Sequence, residues 1–183
     1  MGLIWVVSAA VWGVAEASFF FIVPDVLLTA AVFRFGLRAG LLLAILASLF
    51  ASLTGLAMWL WAHSDAASAR AAMLWVPAIG PDLLARAHRE IAANWAAHLF
   101  TGAMTGVPYK LYAVEAGARG INPPLFTLVS FGSRLARFSL TAGMAAIGRE
   151  VLSRTQRLGW SYVVWALAWI AVYAIYFSTR AAA

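Results

Sequence analysis

Two arginines lie within a long apolar segment, where a charged side chain is costly. Arg134 and Arg137 are three residues apart between Pro124 and Gly148, so a helix would place both guanidinium groups on one face. In a bilayer Arg134 would lie about 15 Å along the axis from Pro124, near the middle of a hydrocarbon core about 30 Å thick. A central arginine costs about 3 kcal/mol on insertion scales. The sequence therefore predicts that the pair binds an anion or pairs with buried carboxylates.

Two carboxylates flank a break in the first apolar segment. Glu16 precedes Pro24 by eight residues, and Asp25 follows it directly. A carboxylate in a low-dielectric site can take up a proton near neutral pH, and proton relays in membranes use such groups. We expect Glu16 and Asp25 to take part in proton coupling. Structural ion pairs with the basic residues of the second half are an alternative that is compatible with this role.

A lysine follows a second break in the chain. Lys110 comes two residues after Pro108, in a stretch that also contains Gly106. As a compact point charge, its ammonium could attract a phosphate. The alternative role is charge balance for Glu115.

Polar residues extend the arginine stripe. Ser130 and Thr141 continue it at i, i+4, i+7 and i+11 spacing, which is one face of a helix. Ser48 and Ser52 have similar spacing in another apolar segment. These four residues are candidates for lining a cleft, although small residues on membrane helices more often form packing contacts.

Other kinds of site lack the residues that they need. The chain has no cysteine, and His63, His88 and His98 show no metal-ligand spacing. We therefore expect no metal, no cofactor, no catalytic residues and no enzymatic activity. The net charge of +6 does not indicate nucleic-acid binding, because the arginines lie between or within apolar runs. Such a charge favours anionic lipid headgroups or phosphorylated ligands.

The elements that must position these residues are apolar helices. Of the 183 residues, 64% are apolar and 11% are charged, whereas a soluble domain has about 25% charged residues. This composition predicts an all-α, polytopic integral membrane protein with one membrane domain. The predicted elements are a re-entrant hairpin over residues 3–33, a transmembrane helix over 39–62, a loop and interfacial helix over 63–90, a second re-entrant hairpin over 91–120, and transmembrane helices over 122–148 and 158–177.

The two predicted hairpins resemble each other. Val23-Pro24-x-x-Leu27 recurs as Val107-Pro108-x-x-Leu111, and each hairpin is followed by one span. This order predicts an inverted repeat whose broken helices meet near the midplane and form the substrate site. Pro24 and Pro108 would then lie at the hairpin turns. A single tilted span followed by an interfacial stub is the alternative for residues 3–33.

These motifs together resemble one membrane-protein family. The segments Glu16-Ala-Ser-Phe-Phe-Phe-Ile-Val-Pro24-Asp25-Val-Leu-Leu, Gly106-Val-Pro-Tyr-Lys110-Leu-Tyr and Phe131-Gly-Ser-Arg134-Leu-Ala-Arg137-Phe are similar to the signatures of the DedA family. This family is also called the VTT-domain or SNARE-associated family, and the second and third segments look like its YqaA-like branch. The resemblance covers about residues 3–148. One departure is Lys110, where many relatives carry arginine.

The resemblance implies a function. It implies two opposed re-entrant hairpins, location in the bacterial inner membrane, and translocation of a lipid such as undecaprenyl phosphate. It assigns proton coupling to Glu16 and Asp25, and activity to Arg134 and Arg137. The expected partners are membrane lipids and an anionic lipid phosphate, with a homo-oligomer left open. Three alternatives remain at this stage: a proton-coupled exchanger of a small ion, a membrane enzyme acting on lipid phosphates, and an assembly factor without transport activity.

Overall fold

The computed structural model describes residues 1–154 and 161–181, and the regular elements of this part of the chain are all helices, without strands. The all-α prediction is therefore confirmed for the described residues. The helices are α1 (Leu3–Ala17), α2 (Asp25–Phe35), α3 (Leu37–Ser64), α4 (Ala66–Met73), α5 (Pro81–Thr105), α6 (Tyr109–Ala118), α7 (Pro123–Arg154) and α8 (Ser161–Ala181). The first residues of the last predicted helix, 158–160, lie outside the described part.

The first apolar segment is two helices separated by a break. Helix α1 ends at Ala17, and Ser18 leaves the helical region with φ −104° and ψ −94°. The Nε1 of Trp12 donates a hydrogen bond to the Ile22 carbonyl at 2.8 Å, which fixes the path of the break. Pro24 then immediately precedes α2, because its fixed φ suits the start of a helix. The two carboxylates Glu16 and Asp25 therefore lie at opposite edges of the break.

The second break is shorter. Helix α5 ends at Thr105, and the next residue, Gly106, has the left-handed φ of +79° that glycine adopts without strain. Pro108 is extended and immediately precedes α6. Helix α5 also contains a kink at Asn94, with φ −161°. The Asn94 side chain caps the second half by accepting a hydrogen bond from the Ala97 amide at 3.1 Å.

The segment between α3 and α5 differs from the predicted loop and interfacial helix. It contains α4, whose first turn is capped by Asp65 Oδ1 accepting from the Ser68 amide at 3.0 Å. The apolar face of α5 at Leu83, Ala87 and Ile91 is buried in the protein's own core. Amphipathic periodicity indicates that a helix has one buried face, but it does not identify the surface that covers that face.

The short helices pack across the two halves of the chain. Helix α2 packs on α7, α6 packs on α3, and the long helices α3 and α7 pack on each other. Each helix that follows a break therefore lies against the long helix of the other half. This packing of each short helix against the opposite half brings the two breaks close together in space.

Two glycines allow the closest helix contacts. A Cβ at Gly117 of α6 would overlap the backbone carbonyl of Trp59 in α3, and a Cβ at Gly55 of α3 would overlap the phenol of Tyr109 in α6. Helices α3 and α6 therefore approach to a distance that only glycine permits.

One described helix, α3, is long and apolar enough to cross a membrane. The helix Leu3–Ala17 and the stretch Tyr162–Ile175 are apolar but shorter. Helix α7 is longer than α3, but it contains the two arginines.

Gly117→Ala should destabilise the protein. The added methyl group would collide with backbone rather than with a movable side chain, and overpacking of this kind costs about 1–3 kcal/mol. Gly143→Ala in α7 is the matched control, because a Cβ there meets nothing within 4 Å. It should be neutral or stabilising by about 0.5–1 kcal/mol. Thermal unfolding of the purified variants measures both, and an unchanged midpoint for Gly117→Ala would contradict the close contact.

Candidate functional site

A cavity of about 350 Å³ lies where the two breaks meet. Helices α7 and α8 complete its wall. Its charged lining residues are Glu16, Asp25, Lys110, Arg134 and Arg137. Most of the remaining wall is apolar or aromatic.

The deepest ion pair joins α1 to α7. The Arg134 guanidinium donates a hydrogen bond to Glu16 Oε2, and both side chains are less than a tenth exposed. The guanidinium carbon also lies 4.4 Å from the ring centre of Tyr109 and 5.2 Å from that of Phe138. Cation–π contacts of this kind contribute about 2 kcal/mol or more when desolvated. Arg134 is therefore held in a fixed position by groups from three helices.

The second ion pair is more open. Arg137 donates to Asp25 Oδ2 at 2.8 Å, and its side chain remains 29% exposed while that of Asp25 is 2% exposed. Asp25 lies in the first turn of α2, where the helix dipole favours a negative charge. Its other oxygen, Oδ1, is buried and accepts no hydrogen bond within the described part of the chain.

Lys110 links one break to the other. Its Nζ donates a hydrogen bond to the Phe20 carbonyl at 2.7 Å, and the residue is 2% exposed. Among the described residues it forms no ion pair with a carboxylate. Glu115 does not balance it, because both of its oxygens accept from Arg70, at 2.7 and 2.8 Å, and one also contacts His88.

The cavity has a surplus of positive charge. Three cationic side chains face two carboxylates among its described lining residues, which leaves one net positive charge. A buried charge without compensation is unfavourable. The site is therefore suited to bind one negative charge.

Some residues of the predicted polar stripes line the cavity, and others form packing contacts between helices. Thr141 lines the cavity together with Ser133, which sequence analysis missed. Ser130 and Ser48 are fully buried and lie outside the cavity. Ser52 donates to the Ser48 carbonyl at 2.7 Å and borders a separate apolar groove between α3 and α7. Helical spacing places these side chains on one face, but it does not distinguish a lining residue from a packing contact.

Helix α8 contributes residues that sequence analysis treated as an ordinary span. The Val23 amide in the first break donates to Tyr173 Oη at 2.9 Å. The indole nitrogens of Trp165 and Trp169 donate to Thr29 Oγ1 at 2.9 and 3.0 Å. Trp169 and Tyr173 also line the cavity. The four-residue spacing of Trp165, Trp169 and Tyr173 could have identified them, because it places their two indole N–H groups and one hydroxyl on the same face of a helix.

A separate charged cluster ties α4 to α6 and α5. Glu115 is fully buried, and its two oxygens accept from Arg70 while one also contacts His88. Arg119 contacts the other ring nitrogen of that histidine, Nε2, at 3.1 Å. The hydrogen bond to Glu115 raises the pKa of Arg70. Both Glu115 oxygens have partners, which indicates a structural role for this cluster.

Comparison with known proteins places the chain in a family. No family model matches the chain, and no solved structure matches it. A Haemophilus influenzae protein, described as an uncharacterized protein, is 30% identical in an alignment 171 positions long that covers 83% of this chain and 80% of that protein. The chain therefore belongs to the same protein family as the Haemophilus protein.

Removing the Glu16 carboxylate should be far more costly than removing an exposed one. Glu16→Gln leaves Arg134 buried without its ion-pair partner, and breaking a buried pair costs about 3–5 kcal/mol. Glu150→Gln on α7 is the control, because Glu150 pairs with Arg154 at an exposed site, where a pair contributes about 1 kcal/mol or less. Denaturant unfolding of the purified variants compares their stabilities. Equal losses of stability would show that the Glu16 pair is not a structural tie.

Proposed function

We propose that this chain is a polytopic membrane protein of the DedA type that moves a lipid with an anionic phosphate head across the bilayer. The observation that carries the proposal is the buried, net-positive cavity where the two helix breaks meet. The lipid class we favour is a polyprenyl phosphate such as undecaprenyl phosphate, and the membrane we favour is the bacterial inner membrane.

The outer surface supports a membrane location. Large apolar side chains face outward along α1, α3, α7 and α8, among them Val11, Leu42, Leu140 and Ile170, each more than half exposed. Soluble monomers rarely expose contiguous apolar patches larger than a few hundred Å². A surface of this kind is favourable when lipid covers it.

The packing pattern supports the inverted repeat. In this interpretation α1 with α2 forms one re-entrant hairpin, and the second half of α5 with α6 forms the other. Each short helix packs on the long helix of the other half, as expected for two units related by a pseudo-two-fold axis in the membrane plane. Irregular backbone at membrane depth requires protein or a cavity around it, and both breaks border the cavity.

The phosphate would bind mainly at Arg137 and Lys110. Arg137 has part of its guanidinium exposed, and arginine can donate two parallel hydrogen bonds to a phosphate. Arg134 already pairs with Glu16, whereas Lys110 has no carboxylate partner among the described residues, so Arg134 contributes charge and holds Glu16. The cavity is at the small end of the range of about 300–1,000 Å³ for ligand sites. We therefore expect it to hold the head while the tail stays in the bilayer.

Proton coupling follows from the same pairs. If a proton neutralised Asp25, Arg137 would lose its counterion and become free to hold the phosphate more strongly. A proton on Glu16 would leave the Arg134 charge uncompensated and make the cavity more positive. Loss of that proton on the other side would restore the ion pair and favour release. This is the role that we propose for the two carboxylates.

The membrane location can be tested with single cysteines, since the chain has none. Val11→Cys on the outer face of α1 should react with a charged maleimide at least about tenfold more slowly than Ser153→Cys near the end of α7, because the reactive thiolate needs water. The measurement uses open membrane fragments, and the denatured variants serve as the reference for full labelling. Equal rates at both positions would contradict a lipid-covered α1.

Transport can be tested at Arg137. Arg137→Ala should reduce flipping of a polyprenyl phosphate in proteoliposomes by about 10- to 100-fold, since hydrogen bonds to charged groups contribute about 1.5–3 kcal/mol. Arg137→Lys keeps the charge but loses the bidentate geometry, so its loss should be smaller. Arg154→Ala, on the exposed end of the same helix, should behave like the parent.

Other results would favour the alternatives. Full flipping by folded Arg137→Ala would contradict the phosphate site. Transport of a water-soluble anion without lipid flipping would indicate an ion exchanger, and release of inorganic phosphate would indicate an enzyme. Absence of all three activities would favour an assembly factor.

A further inference from the structure

The surplus of positive charge fixes how much negative charge the cavity can hold. Arg134 and Arg137 are each paired with a carboxylate, so Lys110 supplies the single uncompensated charge. A head carrying one negative charge would make the filled cavity neutral. A head carrying two would leave an unbalanced negative charge in an enclosed site, which is strongly unfavourable.

Asp25 places a second constraint on the charge state of the bound phosphate. Its Oδ2 accepts from Arg137, and its buried Oδ1 is without a hydrogen-bond partner in the described part of the chain. A phosphate bound to the exposed part of the Arg137 guanidinium would therefore lie beside a carboxylate oxygen. A fully ionised phosphate offers only acceptor oxygens and would be repelled there, whereas a protonated phosphate offers a P–OH donor.

In the structure no other titratable group around the cavity donates to Asp25 Oδ1, which has no hydrogen-bond partner within the described part of the chain. Glu16 on α1 accepts from Arg134, and the Tyr112 hydroxyl on α6 donates to Glu90. Tyr173 on α8 accepts from the Val23 amide. Tyr109 on α6 lies under the Arg134 guanidinium. Among the described lining residues no histidine is present.

We infer that the cavity binds lipid phosphate in its singly charged form, and that a phosphomonoester enters with one proton shared between a phosphate oxygen and Asp25 Oδ1. The inference rests on the proposed function and specifies the charge state of its substrate. One proton would accompany each monoester that crosses, whereas a phosphodiester, which is singly charged at every relevant pH, would cross without one.

This charge selection has a measurable consequence. The second pKa of a phosphomonoester is about 6, so about a tenth of it is singly charged at pH 7. Monoester binding should therefore fall by roughly 50- to 100-fold between pH 6.5 and pH 8.5. Diester binding reports any change in the protein's own charges over the same range, including that of Lys110.

The experiment uses the full chain in detergent with two probes, dodecyl phosphate and its methyl ester. Isothermal titration at pH 6.5, 7.5 and 8.5 should show the steep loss for dodecyl phosphate and a much smaller change for the methyl ester. Asp25→Asn makes the cavity doubly positive, so it should flatten the dodecyl phosphate profile. Asp82→Asn, at an exposed position on α5, should leave the profile unchanged.

The two possible failures are distinguishable. If both probes bind and dodecyl phosphate is held as tightly at pH 8.5 as at pH 6.5, charge selection is wrong while the phosphate site stands. A steep profile that Asp25→Asn leaves intact would also overturn it, because the proton would then not involve Asp25. If neither probe binds, or if Arg137→Ala binds both like the parent, the phosphate site itself is wrong.

Discussion

Two ion pairs between the first helix break and α7 determine both the shape of this fold and its chemistry. Burying an ion costs several kcal/mol even after relaxation, so neither the carboxylates nor the arginines would be stable in this interior alone. Glu16 and Asp25 lie at opposite edges of the break, and each contacts an arginine on the same face of α7. The broken conformation of the first segment and the charges of α7 therefore depend on each other.

The second break makes the distribution of charge around the cavity asymmetric. Lys110 donates to the backbone carbonyl of Phe20 and not to a carboxylate. A backbone carbonyl satisfies a hydrogen bond without cancelling a charge, so the lysine joins the two breaks and its charge is not balanced by a carboxylate. A fully paired cavity would be a rigid electrostatic core, whereas one cation without a carboxylate partner leaves the cavity with an excess of basic groups. The same contact thus has a structural and an electrostatic effect.

The sequence alone identifies charged residues whose burial is costly. It is less informative about which groups these residues contact in the folded protein. Charges in apolar segments are rare, so Arg134, Arg137, Glu16 and Asp25 could be singled out, and the structure brings all four to one cavity. The serines could not be resolved in this way, since small residues satisfy packing and lining equally well. The covering of α5 and the contacts of α8 with Thr29 depend on tertiary neighbours, which hydrophobic periodicity does not reveal.

The close contacts between α3 and α6 limit how this chain can diverge. At Gly55 the obstacle to a larger residue is the phenol of Tyr109. A larger residue at position 55 therefore becomes tolerable only if position 109 also changes to a smaller side chain, so the two positions must vary together. At Gly117 the obstacle is the Trp59 carbonyl, which every amino acid carries. No second substitution can relieve it, so position 117 is restricted to glycine unless the spacing of these two helices changes.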